Sequence, residues 1–153
     1  MLDACPGIKV YADRGKIGQV FTNLISNAIK YSPAGSDILV SCALKGEKVG
    51  VAVTDYGLGI SKESEEKLFK RFYRVEDGRT RNISGFGIGM YLVSGILRYH
   101  DAAINVKSEL NQGSVFLLPW GFVRDAAEGS LGYINRYKGC VSRIGHEIQN
   151  SNR

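Results

Sequence analysis

Three groups of residues have the types and spacings that chemistry needs. Asn23 and Asn27 are four apart, and Lys30 is three beyond Asn27, so on a helix all three share one face. Asn is a poor interior helix former, because its side chain competes for backbone hydrogen bonds. Two aligned Asn residues are either solvated polar positions or offer an amide oxygen to a hard divalent cation, with Lys30 beside it for phosphate. Asp55 ends the run Val49, Val51, Val53 in phase with it, so on a strand it points to the side of the valines and requires donors there. Either it begins a turn, which is common after a strand, or it accepts from an exocyclic amino group such as that of adenine. In the second case Gly57 and Gly59 leave the backbone open to a flat ligand. The third group is Gly85-Phe86-Gly87-Ile88-Gly89 ahead of a helical pattern. It is either a mobile segment or a helix N-terminus whose N–H groups bind phosphate. No strand feeds it, so it is not the dinucleotide fingerprint, and it does not match the P-loop pattern. Arg74, Arg79 and Arg81 precede it, either solvated or able to close over a phosphate.

The elements that must position these groups are written in the apolar periodicity. Asp13 is placed to cap a helix running to about Tyr31, with Ile17, Val20, Phe21, Leu24, Ile25 and Ala28 as one buried stripe. Ser32-Pro33-Ala34-Gly35 stops it. Ile38, Val40, Cys42 and Leu44 predict a strand, Lys45 to Lys48 a turn, and Val49, Val51 and Val53 a second strand. Ser61 caps a short helix expected through Phe72, with Leu68, Phe69 and Phe72 as its apolar side; residues 73–84 read as a loop. A second long helix follows Gly89, carries Leu92, Val93, Ile96 and Leu97 on one side, and ends near His100. Ile104, Val106 and Ser108, then Val115 to Leu118 after a turn at Asn111-Gln112-Gly113, predict two more strands. The order implies an α+β, two-layer α/β sandwich: a mixed, mostly antiparallel sheet covered on one face by about three helices.

Composition narrows the classes. With 153 residues, 44% hydrophobic and 23% charged, the chain suits one soluble domain with an appendage. The start lacks a secretory pattern, and no apolar run approaches the roughly 20 residues of a membrane span. Cys5, Cys42 and Cys140 form no CxxC pair, which argues against a disulfide framework and suits a reducing cytoplasm. The net charge of +5 comes without a basic block, so nucleic acid is the least favoured partner.

In sequence order the motifs resemble those of sensor histidine kinases. Gln19-Val20-Phe21-Thr22-Asn23-Leu24-Ile25-Ser26-Asn27-Ala28-Ile29-Lys30-Tyr31-Ser32-Pro33 resembles their N box, and Asp55-Tyr56-Gly57-Leu58-Gly59-Ile60 their first glycine box. Phe69-Lys70-Arg71-Phe72-Tyr73-Arg74 is similar to the F box, and Gly85-Phe86-Gly87-Ile88-Gly89-Met90 to the second glycine box. Four boxes in order span residues 10–119, the whole catalytic, ATP-binding domain of that family.

The resemblance implies the Bergerat fold, shared with DNA gyrase, the mismatch-repair ATPases and a heat-shock chaperone, with ATP and Mg²⁺ as ligands. By motif position Asn27 would ligate Mg²⁺ with Asn23 nearby, and Lys30 and Tyr31 would meet the phosphates or the nucleotide face. Asp55 would bind the adenine amino group in a pocket shaped by Gly57, Gly59 and Ile60. Phe72, Gly85 and Ile88 belong to the implied nucleotide contacts, Arg74 would reach the phosphates, and the Gly87 and Gly89 amides would support them. Residues 73–84 would form a mobile lid. Asn27, Lys30 and Arg74 would be the catalytic set.

Two departures bear on the chemistry. ATP-hydrolysing relatives carry Glu four residues before the metal-binding Asn; here Asn23 stands there and cannot take a proton at neutral pH. Hydrolysis is therefore disfavoured, while transfer to an acceptor bringing its own base is retained. The alternatives are a nucleotide-binding, partner-binding module without phosphotransfer and an ATPase of the gyrase type, which Asn23 in place of Glu disfavours. The family's His-Gly-Gly after the second long helix is replaced by His100-Asp101-Ala102-Ala103, and Asp101 is expected to take the left-handed turn at modest cost.

Domain limits follow: residues 1–120 as the catalytic domain, about the first ten a lead-in, and 121–153 as a tail of separate character. The twelve residues before Asp13 are too few for a dimerisation hairpin, so the acceptor His is expected on another module, in cis or in trans, with a response regulator downstream. His100 reads as structural. His146-Glu147-Ile148-Gln149-Asn150 repeats the His, Glu, Asn order of an acceptor box but lacks its Pro and room for a hairpin, so it reads as incidental. The fragment is expected in the cytoplasm, without membrane contact of its own.

Overall fold

Asp13 starts the first helix as its residue type predicts. In a computed structural model of the chain, its carboxylate accepts from the Lys16 N–H at 2.9 Å, opening α1 (Arg14–Tyr31). The structure describes residues 2, 3, 10, 12–45, 48–75, 80, 83 and 85–120. Val20, Leu24 and Ala28 of α1 are buried, with Ile17, Phe21 and Ile25 packed at their flanks. The helix stops at Ser32, held extended ahead of Pro33.

The strands are β1 (Leu2–Asp3), β2 (Leu39–Lys45), β3 (Lys48–Asp55), β4 (Asn105–Glu109) and β5 (Gly113–Trp120), ordered β1-β2-β3-β5-β4. β1 pairs parallel to β2 and every other pairing is antiparallel, so the sheet is mixed and mostly antiparallel, as expected. α2 (Lys62–Glu65) and α3 (Gly89–Tyr99) complete the helices. Val93 and Leu97 of α3 meet Val20 and Leu24 of α1 in the core, against Val49, Val53, Phe116, Leu118 and Trp120 of the sheet.

The register of β3 and β5 places the site. Val49 lies opposite Trp120, Val51 opposite Leu118, Val53 opposite Phe116 and Asp55 opposite Ser114. These alternate pairs of the ladder face the helices, so three apolar rungs end in a polar one. Ser108 of β4 lies opposite Ser114 in turn, extending the polar rung over three strands.

Two expectations are corrected. The short helix begins at Ser61 as predicted but ends at Glu65, not Phe72. Beyond it the chain winds through turns closed by Lys67 N–H to Ser64 O and Lys70 N–H to Lys67 O. Leu68 and Phe69 still pack on the core, but Phe72 takes φ 63° and is 62% exposed, because its N–H is taken by the Gly87 carbonyl at 3.0 Å. On α3, Met90, Val93 and Leu97 are the buried face, while Leu92 points outward. Asp101 does adopt the left-handed conformation, at φ 50°.

Candidate nucleotide-binding site

The polar rung opens into a cavity of about 600 Å³, a size that suits a small organic ligand. Asn23, Asn27, Lys30 and Tyr31 of α1 form one wall. Asp55 and Ser114 line its sheet end, Gly59, Ile60 and Leu68 the opposite wall, and Arg74 with Gly85, Gly87, Ile88 and Gly89 the remaining side. All three chemical groups of the sequence therefore meet in one place.

Asp55 is 5% exposed. Its Oδ1 accepts from the Gly57 N–H at 2.9 Å, and Ser114 donates to the carboxylate from backbone and side chain. Burial pushes its carboxyl above the usual carboxylate range, against the lowering effect of these donors. A buried, partly satisfied acceptor at a cavity wall suits a neutral N–H donor on a ligand better than a cation.

Asn23 and Asn27 differ in environment. The Asn23 amide donates to the Gln19 carbonyl at 2.8 Å, and a Cβ added at Gly89 would lie 2.7 Å from its Oδ1. Gly89 is thus small because the Asn23 side chain occupies that space. The N-cap of α3, Ile88, makes no side-chain cap hydrogen bond, and Gly89 and Met90 line the cavity. Uncapped first-turn amides facing a cavity attract an anion.

The Arg74 guanidinium bridges the Gly85 carbonyl, at 3.0 Å, and the Ile83 carbonyl. It thereby braces the glycine segment with its charge at the cavity side. Gly87 sits at φ 68°, and a Cβ there would approach the Tyr73 carbonyl at 2.7 Å, so a side chain would push the F box away from the glycine box.

Not every expected residue arrives. Phe72 and Gly57 do not line the cavity. A Cβ at Gly57 would run into the Tyr31 carbonyl, which accepts from the Leu58 N–H at 3.1 Å. This glycine lets the end of α1 close on the end of β3. Gly59, at φ 66°, likewise packs against the Glu109 carbonyl while lining the cavity. Arg79, Arg81, most of the 76–84 stretch, Cys5, Cys140 and the whole 121–153 segment with His146 lie outside the described residues. Residues the sequence did not single out also contribute, among them Ser26, Ser64, Tyr73, Phe116 and Ser114. Ser114 carried a signal: it is the polar member of the apolar phase Phe116, Leu118, Trp120.

A cavity built from an asparagine-bearing helix, a strand-end aspartate and a glycine-rich helix start defines an ATP-binding domain of the two-layer kind. Residues 12–121 match the family described as histidine kinase-, DNA gyrase B-, and HSP90-like ATPase, and the chain belongs to it. It is 40% identical over 116 residues to the sensor-like histidine kinase SenX3 of Mycolicibacterium smegmatis, covering 76% of this chain and 30% of that protein. Against the sensor protein SrrB of Staphylococcus aureus it is 37% identical over 106 residues, 69% of this chain and 18% of the other. The chain thus spans less than a third of these relatives' length. Among solved structures, the catalytic domain of histidine kinase ThkA superposes with TM-score 0.66 at 28% identity, covering 79% of this chain and 76% of that one. Full-length ShkA in complex with AMPPNP gives 0.65 at 29% identity, over 76% of this chain and 23% of that one. Within its family this is an ATP-binding domain of the histidine kinase type. Among the described residues no helix is long and apolar enough to cross a membrane.

Proposed function

We propose that this domain binds Mg·ATP and passes the γ-phosphoryl group to a histidine on a separate helical dimerisation hairpin. The observation that carries the proposal is the shared cavity: a buried carboxylate at one end and, along α1 toward the uncapped start of α3, Asn27 and Lys30. Asp55 would accept from the adenine amino group while Ile60 and Leu68 flank the base. Lys30, Tyr31, Arg74 and the Gly85–Gly89 amides would hold the phosphates and spread the charge that develops on the transferring group.

Magnesium fits this donor set, since it is commonly held by few protein oxygens together with substrate phosphates and water. Asn27, half-buried in the cavity wall, would hold it, and the ion would neutralise phosphate charge. The acceptor imidazole nitrogen forms the new bond to phosphorus as the bond to the bridging oxygen breaks, leaving ADP. Asn23 offers no base to activate water, which favours this acceptor over hydrolysis. The proposal assigns residues 1–120 to the catalytic domain, takes 121–153 as a separate tail, and places a response regulator downstream of the hairpin, in the cytoplasm.

Mixing the chain with a cognate hairpin and γ-labelled ATP tests it. Label on histidine is the expected result, and its absence while ATP is bound would favour a module that binds nucleotide and partner without transfer.

A further inference from the structure

The polar rung across β3, β5 and β4 holds a hydrogen-bond chain that reaches beyond the cavity. The Ile60 N–H donates to Ser108 Oγ at 2.8 Å. The Ser108 hydroxyl donates to the Gly113 carbonyl at 2.9 Å, and its Oγ lies 3.0 Å from Ser114 Oγ. Ser114, 5% exposed, is bonded by backbone and hydroxyl to Asp55. With Asp55 ionised, its carboxylate can only accept, so the Ser114 hydroxyl hydrogen points to it. The Ser108 hydrogen goes to the Gly113 carbonyl, so Ser108 ties Ile60 to the start of β5, where the next residue, Ser114, holds the Asp55 carboxylate.

Ser108 does not line the cavity, but both groups it joins do: Ile60 on one wall and, through Ser114, Asp55 at the sheet end. A base lying between them would meet the two surfaces that this hydroxyl spaces. We infer that Ser108 is a positioning residue for base selection: by tying Ile60 to the start of β5, it fixes the distance between the Asp55 carboxylate and the Ile60 wall. The inference rests on the proposal that the cavity takes ATP, and it adds a determinant outside the cavity.

Calorimetric titration of the full chain tests it, with ATP and with purine riboside triphosphate, which carries hydrogen in place of the 6-amino group. S108A is expected to weaken ATP about five-fold, the size of one lost hydrogen bond. It should weaken the analogue far less, so that preference for ATP falls. S108T, which restores the hydroxyl, should recover most of that preference. Equal losses for both nucleotides, or no recovery in S108T, would overturn the inference and leave the nucleotide proposal standing. A wild-type chain that binds neither nucleotide would overturn both. Should S108A not fold, S108C carries the same comparison, having nearly the same shape but weak hydrogen-bonding power.

Discussion

The backbone N–H of Asp13 donates to Nε2 of His100 at 3.1 Å across 87 positions of sequence. The other ring nitrogen lies 2.8 Å from the Ile96 carbonyl. Since Nε2 accepts, Nδ1 carries the proton and the imidazole is neutral. His100 therefore clamps the start of α1 to the end of α3, the two helices that carry the N box and the second glycine box. His100→Ala is expected to lower the unfolding free energy by about 1 kcal/mol in urea titration. His100→Lys, which has donors only, should lose as much. A variant as stable as the wild type would show that the clamp contributes nothing.

Asp101 follows in a left-handed conformation at φ 50°, with its N–H on the Arg98 carbonyl and the Ala102 N–H on the Leu97 carbonyl. This is the Schellman end of α3, where glycine is the residue of least strain. Asp101→Gly should gain about 0.5–1 kcal/mol and raise Tm by roughly 2–4 °C by calorimetry. Affinity for ATP should not change.

Asp55 gives a pH signature. Its carboxyl is raised from 3.8 by burial, so the folded chain binds this proton more tightly than the unfolded chain. Its contribution to stability is present at low pH and lost as pH rises from that value through the folded one. Asp55→Asn removes the dependence. The unfolding free energy of the variant minus that of the wild type should therefore increase as pH rises above 3.8. The lowered carboxyls of Asp13 and Glu63 act in the opposite sense, but both proteins share them and they cancel. A flat difference would contradict the burial of the carboxyl.

Gly89 and Asn23 should be coupled. A methyl at position 89 meets Asn23 Oδ1 at 2.7 Å, so Gly89→Ala displaces that side-chain end and its hydrogen bond to the Gln19 carbonyl. In an Asn23→Ala background the obstacle is gone and alanine is the better helix residue by about 1 kcal/mol. Gly89→Ala should then stabilise, and the double-mutant cycle in chemical denaturation should show a coupling of at least about 1 kcal/mol. Additive effects would mean that the two residues do not meet.

Much of this was legible in the sequence where the determining interactions are local. The α1 stripe and its Asp13 cap, the phase of Asp55 with Val53, and the stop at Ser32-Pro33 each depend on near neighbours and appear as read. Leu68, Phe69 and Phe72 imitate a helical face, so the sequence overextends the short helix. The Phe72 N–H is instead claimed by Gly87, fifteen residues on. Gly57 and Gly59 of the first box also have the Tyr31 and Glu109 carbonyls against them, a requirement for glycine that comes from distant residues and is not visible locally. Ser108 and Ser114 sit at readable strand positions, but their join to Asp55 appears only once three strands are in register.

The central claim is that one cavity holds ATP through Asp55. Titration of Mg·ATP into the wild-type chain and into Asp55→Asn, by calorimetry, addresses it directly. Saturable heat in the wild type and at least about a hundred-fold weaker binding in the variant, the loss expected when a buried acceptor is replaced and a donor faces a donor, is the predicted result. No heat in the wild type, or equal affinity in both, would contradict it.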